Sequence, residues 1–200
     1  MIVIISNGIE TQPIKPKTRL IDIIFGKRAI IDITIERKRI KKMKKISIVG
    51  PESSGKTTLA IFLSKILQGT YVNEYARDYL NKNETYTIND LDIFAFKQNQ
   101  NINNASKTEN NFLFADTSVI VIEIWSMLKY KKLSKSIKEL SEKENFDCYL
   151  LCKPDIPWKW DEQRESPNNR IKIYNAYKNL LSTRNYNYTV IRGKLNQRIK

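Results

Sequence analysis

The chain has 200 residues, the length of one ordinary domain or of one domain with an extension. It carries 35 Lys and Arg against 21 Asp and Glu, a formal net charge of +14, and it has no histidine. Without histidine the chain cannot form a Ser-His-Asp triad, a Cys-His pair or a His-ligated zinc site. Its 41% of hydrophobic residues can build a core, which excludes wholesale disorder.

The positive charge taken alone favours a nucleic-acid partner, because basic chains attract phosphate backbones. However, Ile, Lys and Asn make up 73 of the 200 residues, and all three have AT-rich codons. An AT-rich genome produces a basic chain without any selection for binding DNA or RNA. We therefore expect no nucleic-acid partner.

Apolar run lengths and cysteine usage indicate a soluble, cytoplasmic protein. No stretch approaches the roughly 20 apolar residues of a membrane span, and the apolar start is too short for a signal peptide. Cys148 and Cys152 are the two cysteines. On a strand they would face the same side about 13 Å apart, too far for a disulfide. We expect two reduced cysteines in the core.

Residues 1–42 differ from the rest of the chain. They hold 10 Lys or Arg against 4 acidic residues and end in a basic cluster at 37–42. Two interpretations stay open: a genuine appendage that binds a partner, or a gene boundary placed too early, with Met43 as the true start. We favour the second. The expected organisation is therefore an N-terminal extension, 1–42, and one domain, 43–200.

From Met43 onward, short apolar strands alternate with helical patterns. The strands are predicted at 46–49, 70–72, 111–115, 147–152 and 188–191. The helices are predicted at 57–67, 73–82, 87–104, 119–131, 134–145 and 171–182. Five short apolar strands separated by helices predict an α/β fold, a five-stranded parallel sheet with helices on both faces.

Residues 50–57 match the complete phosphate-binding pattern G-x-x-x-x-G-K-[ST], between a β-branched strand and an amphipathic helix. The glycines allow successive N–H groups to face phosphate oxygens, and the helix directs its positive end at the same place. Lys56 reaches the β and γ phosphates, and the Thr57 hydroxyl binds Mg²⁺. We predict ATP and Mg²⁺ as ligands, with nucleotide contacts from Gly50, Glu52, Ser53, Ser54, Gly55, Lys56, Thr57 and Thr58.

Acidic residues at two other strand ends complete the predicted site. Asp116 ends an apolar strand, where a P-loop protein needs a carboxylate to hold the metal through water. Glu74 and Arg77 follow the second strand, at the sheet edge where ligands of open α/β sheets collect. Glu74 can bind substrate hydroxyls or act as a base, and Arg77 can contact phosphate or substrate. The alternative is an ordinary surface ion pair at spacing i, i+3.

The segment at about 154–170 is dense in charge, tryptophan and proline, and we predict a lid there. Arginines on a mobile lid can neutralise a phosphoryl group during transfer and can exclude water. The alternative is a surface loop whose tryptophans pack onto the core.

From Met43 to the C-terminus, the chain resembles the NadR-like nicotinamide riboside kinases, P-loop ATP-binding proteins of the AAA type. The ordered blocks that carry the resemblance are 50–57, 74–77, Gln98, 114–117, Trp125, Tyr130, Pro157-Trp158, Asp161, Arg164-Glu165, Pro167 and Arg170. The resemblance implies ATP-dependent phosphorylation of the ribose 5′-hydroxyl of nicotinamide riboside, giving nicotinamide mononucleotide.

The resemblance also implies roles for individual residues. Catalytic roles fall to Lys56, Asp116, Glu74 and Arg164, and substrate contacts to Glu74, Tyr75, Arg77 and Trp158. Both Glu74 and Asp116 stay candidates for the base, Trp158 is a candidate for stacking on a flat base, and Gly193 for lying near adenine.

Two departures from the family pattern limit what the resemblance implies. Ser118 stands where related sequences often have a second acidic residue. The missing histidines exclude the adenylyltransferase activity of bifunctional relatives. A kinase of another nucleoside or nucleotide, and a P-loop nucleotide switch or nucleic-acid-binding ATPase, stay as alternatives.

Overall fold

The structure, a computed structural model, describes residues 42–83, 85–164 and 166–198. The predicted extension lies outside this range except for its last residue, so both interpretations of it stay open. The strands are β1 Lys44–Val49, β2 Thr70–Val72, β3 Phe112–Asp116, β4 Cys148–Cys152 and β5 Tyr188–Ile191. The helices are α1 Lys56–Ile66, α2 Tyr75–Leu80, α3 Ile88–Ala105, α4 Val119–Tyr130, α5 Lys135–Glu142, α6 Arg170–Thr183 and α7 Leu195–Arg198, and a 3-10 turn covers Pro167–Asn169.

The five strands form one sheet in the order β2-β3-β1-β4-β5, and every neighbouring pair is parallel. Ile46 of the central strand pairs with Phe114 on one side and with Cys148 on the other. All residues of β3 and β4 are buried, as expected for a parallel sheet covered on both faces. The predicted α/β fold class is confirmed.

Helices cover both faces of the sheet because their apolar residues recur with helical spacing. On one face α1 packs Leu59 and Leu63 against β-strand residues that include Ile48. On the other face α4 and α6 enclose a cluster with the buried Ile120 and Leu181. A third cluster joins α2 and α3 to α4 and α5 beside the sheet; its buried members are Ala76, Leu91, Phe94, Ala95, Val119, Ile122 and Ile137.

Helix ends differ from the predictions by a few residues. The helix predicted at 73–82 is shorter, because Glu74 is extended (φ −76°, ψ 112°) and the helix begins after it. The helix predicted at 171–182 starts at Arg170, directly after the proline-led 3-10 turn. The four-residue helix α7 was not predicted, since so short an element shows no hydrophobic period.

The two cysteines behave as predicted. Both are free and buried on β4, and burial raises the pKa of each thiol to about 11. Among the described residues, no helix is both long enough and apolar enough to cross a membrane.

Candidate active site

The P-loop follows β1 and runs into α1 with a backbone that favours glycine at two points. Gly50 has φ +139°, and a Cβ atom there would lie 2.6 Å from the Cys152 carbonyl oxygen. Gly55 precedes α1 with φ +81°, so the chain enters the helix from the left-handed region. The first N–H groups of α1 therefore face outward beside the loop, an arrangement that suits a phosphate group.

Two side chains of the P-loop hydrogen-bond to a backbone carbonyl of the same loop and so stabilise its turn. The Ser54 hydroxyl donates to the Pro51 carbonyl at 2.7 Å, and Lys56 Nζ donates to the same oxygen at 3.1 Å. The lysine thus lies along the concave side of its own loop. A phosphate bound there would compete with Pro51 for the ammonium group.

The segment predicted as a lid contacts the P-loop through three hydrogen bonds between described residues. The Glu52 carboxylate accepts from the Ser166 N–H at 3.0 Å, and the Ser53 hydroxyl accepts from the Lys159 N–H at 2.9 Å. Arg170 Nη2 donates to the Ser53 carbonyl at 2.9 Å. The segment predicted as a lid therefore lies against the P-loop.

The C-terminal helix supports the loop from the other side through Arg198. Its side chain is only 2% exposed, and Nη1 donates to the Ser54 carbonyl at 2.6 Å. Its Nη2 pairs with Asp155 at 2.9 Å, and Nε donates to the Gly193 carbonyl at 2.6 Å. One guanidinium group therefore links α7, the start of the lid and the P-loop.

Asp116 ends β3 beside the P-loop and is only 2% exposed. Its Oδ2 accepts from the Tyr71 hydroxyl at 3.4 Å, whereas its Oδ1 has no hydrogen-bond partner among the described residues. Burial raises the pKa of Asp116, and the Lys56 ammonium opposes that rise. A buried carboxylate oxygen left unpaired next to a phosphate loop fits a water of a hydrated Mg²⁺ ion.

A metal at this place would depend on phosphate oxygens as well as protein. Among the described residues, no group of three or more cysteine, aspartate or glutamate side chains is arranged to hold an ion. In the usual magnesium sites of nucleotide enzymes, one or two protein oxygens act together with the phosphates and water.

Glu74 lies at the start of α2 with its side chain 22% exposed. Burial raises the pKa of Glu74 to about 6, Lys56 and Arg77 oppose the rise, and Asp116 adds to it. Arg77 Nε lies 3.9 Å from the Glu74 carboxylate, so the i, i+3 pair exists. Since Glu74 is partly buried and lines the cleft, the pair is more than a solvated surface contact.

Arg77 also reaches the lid. Its Nη1 lies 3.1 Å from the Asp161 carboxylate, and the same carboxylate lies 3.4 Å from Arg164 Nη2. Arg164 further donates to the Lys159 carbonyl. Asp161 therefore brings one arginine from α2 and one from the lid together.

These elements enclose a cleft of about 330 Å³. Its polar part contains Gly50 and all of 52–58, together with Glu74, Arg77 and Arg164. Its apolar part is formed by helices α2, α4 and α6, through Ala76, Leu80, Val121, Ile124, Trp125, Leu128, Ile173 and Tyr177. A ligand with a charged end and a flat apolar end fits this division.

Four predicted residues do not line the cleft. Asp116 lies buried beneath its polar part, and Tyr75 packs edge-on against Phe94 at 6.1 Å between ring centres. The Trp158 ring lies 5.8 Å from the guanidinium of Arg170 and 6.0 Å from that of Arg164. Gly193 binds Asp155 and Arg198 through its backbone. Glu165, part of one resemblance block, lies outside the described residues.

Ser118 has a carboxylate partner from a distant part of the chain. Its hydroxyl donates to Glu144 at 3.1 Å, and Glu144 also accepts from the Val119 N–H at 2.6 Å and the Ile120 N–H at 3.2 Å. Burial raises the pKa of Glu144 to about 7. The fold thus places an acidic group at the N-terminus of α4, although residue 118 itself is neutral.

Sequence reasoning gave no role to the apolar wall of the cleft, to Gln98 or to Arg198. The wall residues of α4 lie in a helix that is apolar on most sides, so its period does not distinguish a wall from a core. Trp125 and Gln98 were among the residues that carry the family resemblance. That resemblance was the one sequence feature that could have indicated a role for them.

Comparison with known proteins agrees with this geometry. A model of the AAA domain family matches residues 45–198. The chain belongs to the AAA domain family. It is 30% identical over 127 residues to the trifunctional NAD biosynthesis/regulator protein NadR of Escherichia coli, and 28% identical to NadR of Salmonella typhimurium. Each match covers 61% of this chain and 31% of the relative, so the chain spans about a third of those proteins. The resemblance to NadR-like proteins is confirmed.

Solved structures show the same fold. NadR in complex with NR superimposes with a TM-score of 0.69 at 19% identity, over 80% of this chain and 50% of that one. Deoxyadenosine kinase from M. mycoides gives 0.57 at 12% identity, covering 78% and 94% of the two chains. Thymidylate kinase from Candida albicans gives 0.56 at 18% identity, covering 78% and 87%. The AAA domain of this protein therefore has the P-loop fold of nucleoside and nucleotide kinases.

Proposed function

We propose that this protein is an ATP-dependent kinase that phosphorylates the 5′-hydroxyl of nicotinamide riboside to give nicotinamide mononucleotide. The observation that carries the proposal is the cleft, which joins a complete P-loop to Glu74, Arg77 and an apolar wall. A nucleoside has the same two-part character, a hydroxylated ribose and a flat base. The similarity to NadR, one structure of which is in complex with NR, supports nicotinamide riboside among the nucleosides.

The P-loop would hold the ATP phosphates through its backbone amides and the Lys56 ammonium group. The structure of NadR with NAD and AMP-PNP supports ATP as the phosphoryl donor. Thr57 and Asp116, the latter through water, would hold Mg²⁺, which when bound neutralises charge on the β and γ phosphates. The unpaired Oδ1 atom of Asp116 supports this role.

Glu74 is our candidate for the residue that accepts the proton of the 5′-hydroxyl. Its pKa of about 6 leaves it ionised at neutral pH and keeps its basicity near the operating range. Asp116 is the alternative base. Its burial below the loop, outside the cleft lining, favours the metal role instead.

Arg77 and Arg164 would neutralise negative charge on the phosphoryl group as it is transferred. Both line the cleft, and Asp161 holds them close together. Residues 154–170 lie against the P-loop and would act as a lid there, which would disfavour transfer to water because solvent has less access to the phosphoryl group.

The apolar part of the cleft would receive the base. Trp125 lies in its wall and packs against Tyr86, with 4.8 Å between ring centres. The pyridinium ring of nicotinamide riboside is flat and positively charged, and an indole face attracts such a ring. Trp125 is thus a stronger candidate for stacking than Trp158, which lies against arginines.

The test is a steady-state assay with ATP and a panel of acceptors: nicotinamide riboside, adenosine, deoxyadenosine, thymidine and thymidine monophosphate. We expect nicotinamide riboside to give the highest kcat/KM. Lys56→Ala should abolish turnover, whereas Lys65→Ala, a change at an exposed lysine of the same helix, should not. If nicotinamide riboside gives no ADP above the Lys56→Ala background while another acceptor does, the substrate is that acceptor and the proposal is wrong.

A further inference from the structure

Gln98 of α3 is 1% exposed, yet its amide bonds to two strand ends rather than to its own helix. Oε1 accepts from the Tyr75 N–H at 2.8 Å. Nε2 donates to the Asn73 carbonyl at 3.2 Å and to the Thr117 carbonyl at 3.3 Å. One side chain therefore links the segment after β2 to the segment after β3.

The residues that Gln98 binds flank the two carboxylates of the candidate site. Asn73 and Tyr75 stand on either side of Glu74, and Thr117 follows Asp116. All three hydrogen bonds go to backbone atoms, so they restrain the chain itself. Beyond the paired ends of β2 and β3, the separation between the two carboxylates is then restrained by this buried amide.

Thr117 adds a reason why such a restraint is needed. Its φ is +79°, a conformation that is strained for a β-branched residue. Its N–H donates to the Ile48 carbonyl at 3.2 Å, and its carbonyl accepts from Gln98. The strained residue is therefore held by β1 on one side and by α3 on the other.

We propose that Gln98 is a positioning residue that sets the distance between the carboxylates of Glu74 and Asp116. It does not line the cleft, so it acts through the backbone and not by touching the substrate. This inference rests on the proposed kinase function, in which the two acids must face one reacting group. A buried glutamine that merely satisfies core polar groups would have the same burial but no such effect on the chemistry.

The experiment compares Gln98→Met and Gln98→Glu with the wild type, using nicotinamide riboside and ATP. Methionine has similar length but forms none of the three bonds. Glutamate still accepts from Tyr75 N–H but places a carboxylate against two carbonyl oxygens. We expect kcat to fall about ten- to hundredfold in both variants, because small displacements of reacting groups have effects of that size. The KM for ATP should stay within about twofold, since the P-loop is untouched.

Two further readouts separate positioning from stability. The pH midpoint of kcat/KM should move below that of the wild type in Gln98→Met, because Glu74 would lie farther from the Asp116 charge that raises its pKa and would gain solvent. Gln100→Met, at an exposed position of the same helix, is the matched control and should behave as the wild type. All assays are run well below the melting temperature of each variant. If Gln98→Met melts lower but keeps the kcat and pH midpoint of the wild type, Gln98 is a core residue only and the inference is overturned.

Failure of the proposed function would look different. A wild-type protein inactive on nicotinamide riboside contradicts the kinase proposal and leaves the positioning role to be measured directly. Carbon NMR titration of the Glu74 carboxyl group in the wild type and in Gln98→Met then provides that measurement. A titration midpoint that falls in the variant supports the positioning role, and an unchanged midpoint overturns it.

Discussion

The Arg77 guanidinium lies 3.1 Å from the Asp161 carboxylate, and this ion pair joins α2 to the lid. The same carboxylate also holds Arg164. All three side chains are partly exposed, so the contribution of each ion pair to stability should be at most about 1 kcal/mol. The main consequence of the arrangement is therefore the placement of two arginines, not the stability of the fold.

Asp161→Asn should reduce kcat about tenfold while lowering the melting temperature by less than about 4 °C. The asparagine side-chain oxygen can still accept from the Gln163 N–H, as Asp161 Oδ1 does at 3.1 Å. The neutral amide, however, no longer attracts Arg77 and Arg164. Enzyme assays and thermal melts measure the two effects. Asp147→Asn is the control, because Asp147 pairs with Lys44 at the start of the strands, away from the cleft. A variant with wild-type kcat would show that Asp161 has no part in arranging the site.

The pH dependence of kcat/KM should follow Glu74. Activity requires the ionised carboxylate, so kcat/KM should be low in acid and rise with pH through a midpoint near 6. Initial rates between pH 4.5 and 8.5 at low acceptor concentration measure this profile. A midpoint near the ordinary glutamate pKa would indicate that Glu74 is solvated and is not the base.

Glu74→Gln should abolish activity yet stabilise the protein at neutral pH. A pKa raised from 4.5 to about 6 means that the folded state binds the proton more tightly than the unfolded state. Ionisation of Glu74 therefore costs the folded protein about 2 kcal/mol above pH 6, and the cost disappears below pH 4.5. Denaturant unfolding at pH 7.5 and pH 4 measures the difference. Equal stabilisation at both pH values would contradict this account.

Arg198→Ala should destabilise the protein by about 2–4 kcal/mol and weaken ATP binding. The change removes a buried cation and leaves Asp155 and the Ser54 and Gly193 carbonyls without their partner. Urea unfolding and ATP titration measure the two effects. Arg192→Ala, at an exposed arginine just after β5, is the matched control. Unchanged ATP affinity in a destabilised Arg198→Ala would show that α7 supports the fold but not the P-loop.

Glu144→Ala should lower stability by about 1–3 kcal/mol, because the Ser118 hydroxyl and two N–H groups of α4 lose their acceptor. The loss should be larger at pH 5 than at pH 8. A pKa raised to about 7 means that ionisation of Glu144 costs the wild type stability as pH rises from 4.5 through 7. Thermal melts at both pH values, with the exposed Glu142→Ala as control, test this. A loss that grows with pH would contradict it.

The fold and the phosphate end of the site could be predicted from local sequence. The P-loop is a contiguous motif whose conformation follows from its own glycines, and each strand of a buried parallel sheet is recognisable as a short apolar run. Asp116 was selected because it ends such a strand, and Glu74 because it lies two residues beyond the end of another. Their catalytic roles stay predictions.

The other half of the site depends on contacts between distant residues. Arg198 binds Ser54 across 144 positions and Asp161 binds Arg77 across 84, distances that no local pattern spans. Glu144 reaches the start of α4 only because α5 folds back beside it. The resemblance implied Trp158 as a candidate for base stacking, whereas the cleft wall holds Trp125. Local sequence does not show that α2, α4 and α6 meet to form this wall.

Burial of the native cysteines has a practical consequence for following the lid. The thiolate is the form that reacts with maleimides and similar reagents, and burial keeps both thiols protonated near neutral pH. A cysteine introduced at Trp160, which is 77% exposed on the lid, would therefore take up a fluorescent dye far faster than either native residue. Fluorescence of the dye can then test whether residues 154–170 move when nucleotide binds, in a protein that keeps both of its own cysteines.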